Sequence, residues 1–159
     1  MDISISIVNV IQAMLAPGIM ISACGLLLLG MNNKYSLVVN RIRLLNEEKR
    51  KYSSKAAETE FNFDEEIRLK SISTQLAQLH YRVGLVRNAV LFYSFAVALF
   101  VITSLCIGLE FATRLKGFEY LIIAFFSLGM IQVLIGIVYA GIETVKGYQI
   151  VSYEIKVHE

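Results

Sequence analysis

Few side chains in this sequence are equipped for chemistry, and their spacing limits what that chemistry can be. His80 and His158 are lone histidines, and Cys24 and Cys106 are the only cysteines. Nothing resembles a zinc-ligand pattern, a phosphate-binding loop or a nucleophile–base–acid arrangement. The expectation is a protein that is not an enzyme, with no catalytic residue, no cofactor and no metal. The polar residues that stand out are set in apolar sequence. They are Asn9 and Gln12 near the start, Gln132 far along, and Glu110 and Glu119 on either side of a short polar stretch. Polar groups in such surroundings bond helices together or line a path for ions or solutes.

The elements that must position them are legible from composition. The chain has 159 residues, 56% hydrophobic and 18% charged, against roughly 45–50% apolar in an average soluble domain. The apolar residues come in blocks. A helix crosses the hydrocarbon core with about 20 apolar residues, its backbone satisfied internally. Three segments reach that length, about 7–31, 89–109 and 120–142. No charged residue lies between Asp2 and Lys34, between Arg87 and Glu110, or between Glu119 and Glu143. The expected fold class is an all-α membrane protein with three transmembrane helices. Asp2 stands where a signal peptide would carry basic residues, and the first block outruns an apolar core of roughly 7–15 residues, so it is expected to remain as an anchor.

Orientation follows lysine and arginine. Eleven of them lie within 32–88, none in the N-terminal tail, and only Arg114 and Lys116 in the stretch 110–119. The N-terminus, in segment 1–31, is expected outside. Segment 32–88 and the tail 143–159 are expected inside, and the loop 110–119 outside. The net charge of +2 is too small to argue for a nucleic-acid partner.

Segment 32–88 has helical periodicity of its own. Tyr35, Val38, Ile42, Leu45, Lys49 and Tyr52 alternate spacings of three and four, as do Leu69, Ile72, Leu76, Leu79, Val83 and Val86. A polar stretch at 53–64 suits a turn, and Asp64, Glu65 and Glu66 put negative charge where a helix N-terminus favours it. The pattern predicts an antiparallel, coiled-coil-like helical hairpin whose arms extend the first two spans, reaching on the order of 30 Å into the cytoplasm. The tail is expected to prolong the third helix by two or three turns.

On the first span, Asn9, Gln12, Ala16 and Ala23 gather on one side, and Gly18, Ser22 and Gly25 on the opposite side. Two such faces imply packing on both sides, or packing on one and water on the other. The first set are candidates to face the axis or pore of a homo-oligomer, and the second to pack against helices. Pro17 removes one backbone hydrogen bond and is a candidate kink, structural or a hinge. Ser94 with Ala98, and Gly129 with Gly136 and Ala140, are small-residue pairs that mark close helix contacts. Gln132 is expected to bond across helices. Glu110 and Glu119 read as solvated loop residues, their field blunted by Arg114 and Lys116. Arg41, Arg43, Arg82 and Arg87 read as anchors to anionic headgroups of the lipid bilayer. Cys24 and Cys106 would lie about 20 Å apart in depth, too far for a disulfide within one subunit, and read as apolar filler.

Three features taken together, Ala16-Pro17 in mid-span, the leucine run 26–29, and Asn40-Arg41-Ile42-Arg43-Leu44-Leu45 on the emerging helix, resemble a bacterial integral-membrane family catalogued only as a domain of unknown function. The resemblance covers nearly the whole chain. It implies a multi-pass protein of the bacterial inner membrane and supplies no activity, cofactor or catalytic residue. Two functions stay open. One is a homo-oligomeric channel for ions or small solutes, with the first span nearest the axis, which the polar stripe favours. The other is a non-conducting scaffold or accessory subunit whose hairpin recruits a cytoplasmic protein partner, which the absence of any charge within the spans favours.

Overall fold

The computed structural model describes residues 2–56, 63–113 and 117–157, with side chains described over 7–54, 65–113 and 117–148. Within them, all but Gly117 and Phe118 are helical. Helix α1 is Asp2–Ala56, α2 is Phe63–Thr113 and α3 is Glu119–Val157. At 1.5 Å per residue each is far longer than a hydrocarbon core of about 30 Å, so each joins an apolar stretch to a charged one. All three contain a stretch long and apolar enough to cross a membrane. The expected turn at 53–64, Arg114, Lys116 and His158 lie wholly or partly outside the described residues. Helix α3 runs to Val157, past the two or three turns expected beyond the third span.

The chain divides into two units, Met1–Met31 with Asn88–Tyr139, and Asn32–Arg87 with Ala140–Glu159. In the first, α1 turns inward a stripe of buried Pro17, Cys24 and Met31, with Met14, Ile21 and Leu28 half-buried between them. Helix α2 buries Tyr93, Ala96, Phe100 and Thr103. Two aromatic rings of α2 meet glycines of α3, Phe100 at Gly129 and Tyr93 at Gly136. Phe92 stacks on Tyr139, and Phe100 tilts against Phe126, each at 5.5 Å between centroids. Large apolar side chains point away from this packing, among them Leu26 (72% exposed), Phe95, Leu105, Ile123 and Leu134. That much apolar surface is incompatible with water and suits lipid. Three such helices mark a multi-pass membrane protein.

The second unit has a core of Val38 and Leu45 from α1 with Ile72, Leu76 and Leu79 from α2, flanked by Ile42, Tyr52 and Val83. Burying these side chains stabilises the pair by roughly 1.5–3 kcal/mol each. Glu48 pairs with Arg68, and Lys34 shares a carboxylate with Arg82. Moving back along α1 means moving forward along α2, so the hairpin is antiparallel. Its seam differs from the spacing-based expectation at two places. Tyr35 is 40% exposed and Lys49 is exposed. Their predecessors, Lys34 and Glu48, are half-buried instead, because each is drawn inward by an ion pair.

Candidate functional site

Glu143 is the one buried charged side chain among the described residues, at 1% exposure. It follows Ile142, the end of an uncharged run. A carboxylate removed from water costs several kcal/mol unless paired and hydrogen-bonded. Glu143 is paired twice. Arg82 donates to its Oε1 from Nη2 at 2.7 Å and from Nε at 3.3 Å. Lys34 donates to Oε2 from Nζ at 3.0 Å. The same ammonium donates to Thr144 Oγ1 at 2.9 Å, and that hydroxyl donates to the Ala140 carbonyl. One turn on, Gly147 leaves room for the guanidinium, since a Cβ there would stand 2.8 Å from Arg82 Nη2. Each helix contributes one charge to the cluster. Its chemistry is that of a clamp: two cations locked on one anion, with no nucleophile among them.

In the first unit, α1, α2 and α3 line an open cleft of about 530 Å³. Ala13, Ala16 and Pro17 line it from α1, Thr103 and Ile107 from α2, and Ile122 and Phe126 from α3. Glu110 and Glu119 also line it, Glu110 half-buried and Glu119 exposed. The Thr103 hydroxyl is already committed, donating to the Leu99 carbonyl at 2.8 Å. Pro17 is buried, and α1 passes through it without a break in the helix. Because proline has no N–H, the carbonyl of Ala13 lacks its helical donor.

The structure separates the residues that the sequence grouped. In the stripe of Asn9, Gln12, Ala16 and Ala23, all four residues are exposed, and Ala16 also lines the cleft. Gly18, Ser22 and Gly25, on the other side, are exposed too, with nothing near either glycine. Ser22 donates to the Gly18 carbonyl on its own helix at 3.2 Å. Ser94 and Ala98 are exposed, and Ser94 bonds back to the Val90 carbonyl. Gly129 and Gly136 are buried against rings, and Ala140 is half-buried. Arg41, Arg43 and Arg87 are exposed, but Arg82 turns to Glu143 instead of outward. Gln132 has no cross-helix bond at its side-chain oxygen, which is buried without a partner. Cys24 and Cys106 are free thiols. Among the described residues no group of histidine, cysteine or carboxylate side chains is arranged to hold a metal.

The sequence reading missed the pairing of Lys34 and Arg82 with Glu143. A signal existed. Lys34 is the first charge after one span, Arg82 and Arg87 precede another, and Glu143 is the first charge after the third. Three helices in alternating directions bring those ends to one depth, where an acid among bases finds partners.

No curated protein and no solved structure matches this sequence. A family model does, over residues 14–152, which takes in the first-span proline, the hairpin arms and both later spans. The chain therefore belongs to the family described as "Protein of unknown function (DUF2721)".

Proposed function

We propose that the protein is a non-conducting scaffold or accessory subunit of the bacterial inner membrane, assembled as a homo-oligomer, with its N-terminus outside and its hairpin in the cytoplasm. The observation that carries this is the outward surface of the hairpin. Leu37 is 70% exposed and Leu44 60%, seven residues apart on α1; Ile67 and Tyr81 are 54% and 58% exposed on α2. These lie on the lysine- and arginine-bearing length of the chain, and large apolar side chains repeated on a charged helix favour a helical protein partner. The spacing of Leu37 and Leu44 repeats that of buried Val38 and Leu45, so a second hairpin offers a matching surface.

The mass of the full chain in mild detergent tests this. An oligomer is expected, and Leu37→Glu with Leu44→Glu should reduce it to the monomer; a wild-type monomer would count against the reading. The channel reading keeps one observation in its favour. Asn9 and Gln12 are both exposed, leaving them free to face an axis. Below them the same stripe holds only alanines, which provides no polar path. Ion flux into liposomes, lost on Asn9→Leu with Gln12→Leu, would replace the scaffold with the channel.

A further inference from the structure

Helix α1 is buried along one row of every seventh residue and exposed along another. Pro17, Cys24, Met31, Val38 and Leu45 are all buried. A straight α-helix carries such a row about 20° around its axis with each heptad, so burial that keeps to the row marks a helix packing with a coiled-coil period. One position earlier in the same frame, Asn9, Ala16, Ala23, Gly30, Leu37 and Leu44 are all exposed. So are Gln12, Ile19, Leu26, Asn33 and Asn40. The two exposed sets alternate spacings of three and four from Asn9 to Leu44, as a and d positions do. They make a second seam, on the far side of the helix from the buried row.

The side chains of this outer seam suit another copy of the same helix. Within the apolar span its a positions are Ala16, Ala23 and Gly30, and nothing lies within 4 Å of a Cβ built at Gly30. Small residues there let a second helix come close. Ile19 and Leu26, 63% and 72% exposed, are the knobs that such an approach seats. Asn9, Gln12, Asn33 and Asn40 are carboxamides, each both donor and acceptor, so the same residue across a twofold axis is a matched partner. Copies inserted in one membrane point the same way, which makes the helices parallel, and in a parallel pair a meets a and d meets d. Arg43 and Glu48 then stand at g and the following e with opposite charge. After Leu44 the frame carries Glu47 and Lys51, and the seam ends. We infer that a second copy of this chain docks on α1, its own α1 running parallel in a two-stranded coil from Asn9 to Leu44. The inference rests on the homo-oligomer of the proposed function and deepens it. The contact runs from the hairpin into the span, and Asn9 and Gln12 become layers of the coil instead of a pore lining.

The test is disulfide trapping of the full chain in membranes. Cys24→Ala and Cys106→Ala remove the native thiols, and one cysteine is returned at a time. Matching a positions of a parallel pair fall within the Cα separation of about 7 Å that a disulfide tolerates. Ala16→Cys, Ala23→Cys, Leu37→Cys and Leu44→Cys are expected to give disulfide-linked dimers under mild oxidation. Ile11→Cys and Asn46→Cys, exposed on α1 but off the seam, should give only the background of random collisions. In the chain with its native cysteines, Ala23→Phe should weaken dimerisation in detergent roughly tenfold or more by overpacking the seam. Ile11→Phe should leave it unchanged, and thermal unfolding of both variants shows that they are folded. Trapping at Leu37→Cys and Leu44→Cys without trapping at Ala16→Cys and Ala23→Cys overturns the inference and leaves the hairpin contact of the scaffold reading standing. Equal trapping at Ile11→Cys and Asn46→Cys overturns it too, as does unaltered dimerisation in folded Ala23→Phe. A wild-type monomer overturns both readings.

Discussion

Arg82 and Glu143, 61 positions apart in sequence, meet through two hydrogen bonds, the shorter 2.7 Å. Arg82 is 20% exposed and Glu143 1%, whereas Lys34, the other partner, is 42% exposed. The two cations are therefore unequal. Arg82→Ala leaves the carboxylate with one partly hydrated ammonium and should destabilise the protein by about 3–5 kcal/mol, the usual result of orphaning a buried charge. Lys34→Ala removes one bond from a group near water and should cost about 1–2 kcal/mol. Replacing the pair together, Arg82→Met with Glu143→Leu, should recover most of the first loss. Unfolding by SDS titration in mixed micelles checks the order. Equal losses for Arg82→Ala and Lys34→Ala would contradict it.

Gly136 and Gly141 lie five residues apart on α3 and should respond oppositely to alanine. A Cβ at Gly136 would stand 2.6 Å from Cε1 of Tyr93, a ring that is 1% exposed and cannot swing clear. The overpacking cost of about 1–3 kcal/mol outweighs the gain of up to about 1 kcal/mol from helix propensity. At Gly141 nothing lies within 4 Å, so propensity acts alone and Gly141→Ala should be neutral or stabilising. Melting temperatures of the two variants in one detergent suffice, and a stabilised Gly136→Ala would show that Tyr93 yields.

The spans were legible because lipid imposes a simple rule, about 20 residues without charge, and three stretches obey it. The hairpin was legible because its seam repeats every three and four residues, and burial of Val38, Leu45, Ile72, Leu76 and Leu79 follows that repeat. Tyr35 shows where periodicity stops. An ion pair to a third helix turned Lys34 inward instead, and no pattern local to α1 encodes Glu143. The small residues divide likewise. Gly129 and Gly136 meet rings, but Gly18 and Gly25 meet nothing, since a glycine marks a possible close approach and only the neighbour decides whether it occurs. Glu110 and Glu119 end the stretch 110–119, and Glu119 is exposed and Glu110 half-buried there. Their place on the cleft depends on α1, which the local sequence does not contain.

Substitutions within the seam should separate buried from exposed members of the same periodic row. Ile72 is fully buried, and Ile72→Ala should cost about 2–5 kcal/mol through lost burial and the cavity left behind. Tyr35 shares the three-and-four spacing on α1 but is 40% exposed, and Tyr35→Ala should change stability by no more than about 0.5 kcal/mol. Hydrogen exchange along α1 and α2 reads the difference locally. Ile72→Ala should raise exchange around Val38 and Leu45, and Tyr35→Ala should leave it as it is.

Gln132 supplies a prediction that runs against intuition about polar residues in membranes. Its Oε1 is buried and has no hydrogen-bond partner, and an unsatisfied buried acceptor costs about 1–3 kcal/mol. A leucine of similar length removes that acceptor and keeps most of the volume. Gln132→Leu should therefore be neutral or stabilise the isolated protein by about 1 kcal/mol. If the same substitution weakens the oligomer while the monomer remains stable, the amide is serving a neighbouring subunit. A lower melting temperature at protein concentrations where only monomer is present would instead show that Gln132 is satisfied within the chain, and the unpartnered acceptor would have to be abandoned.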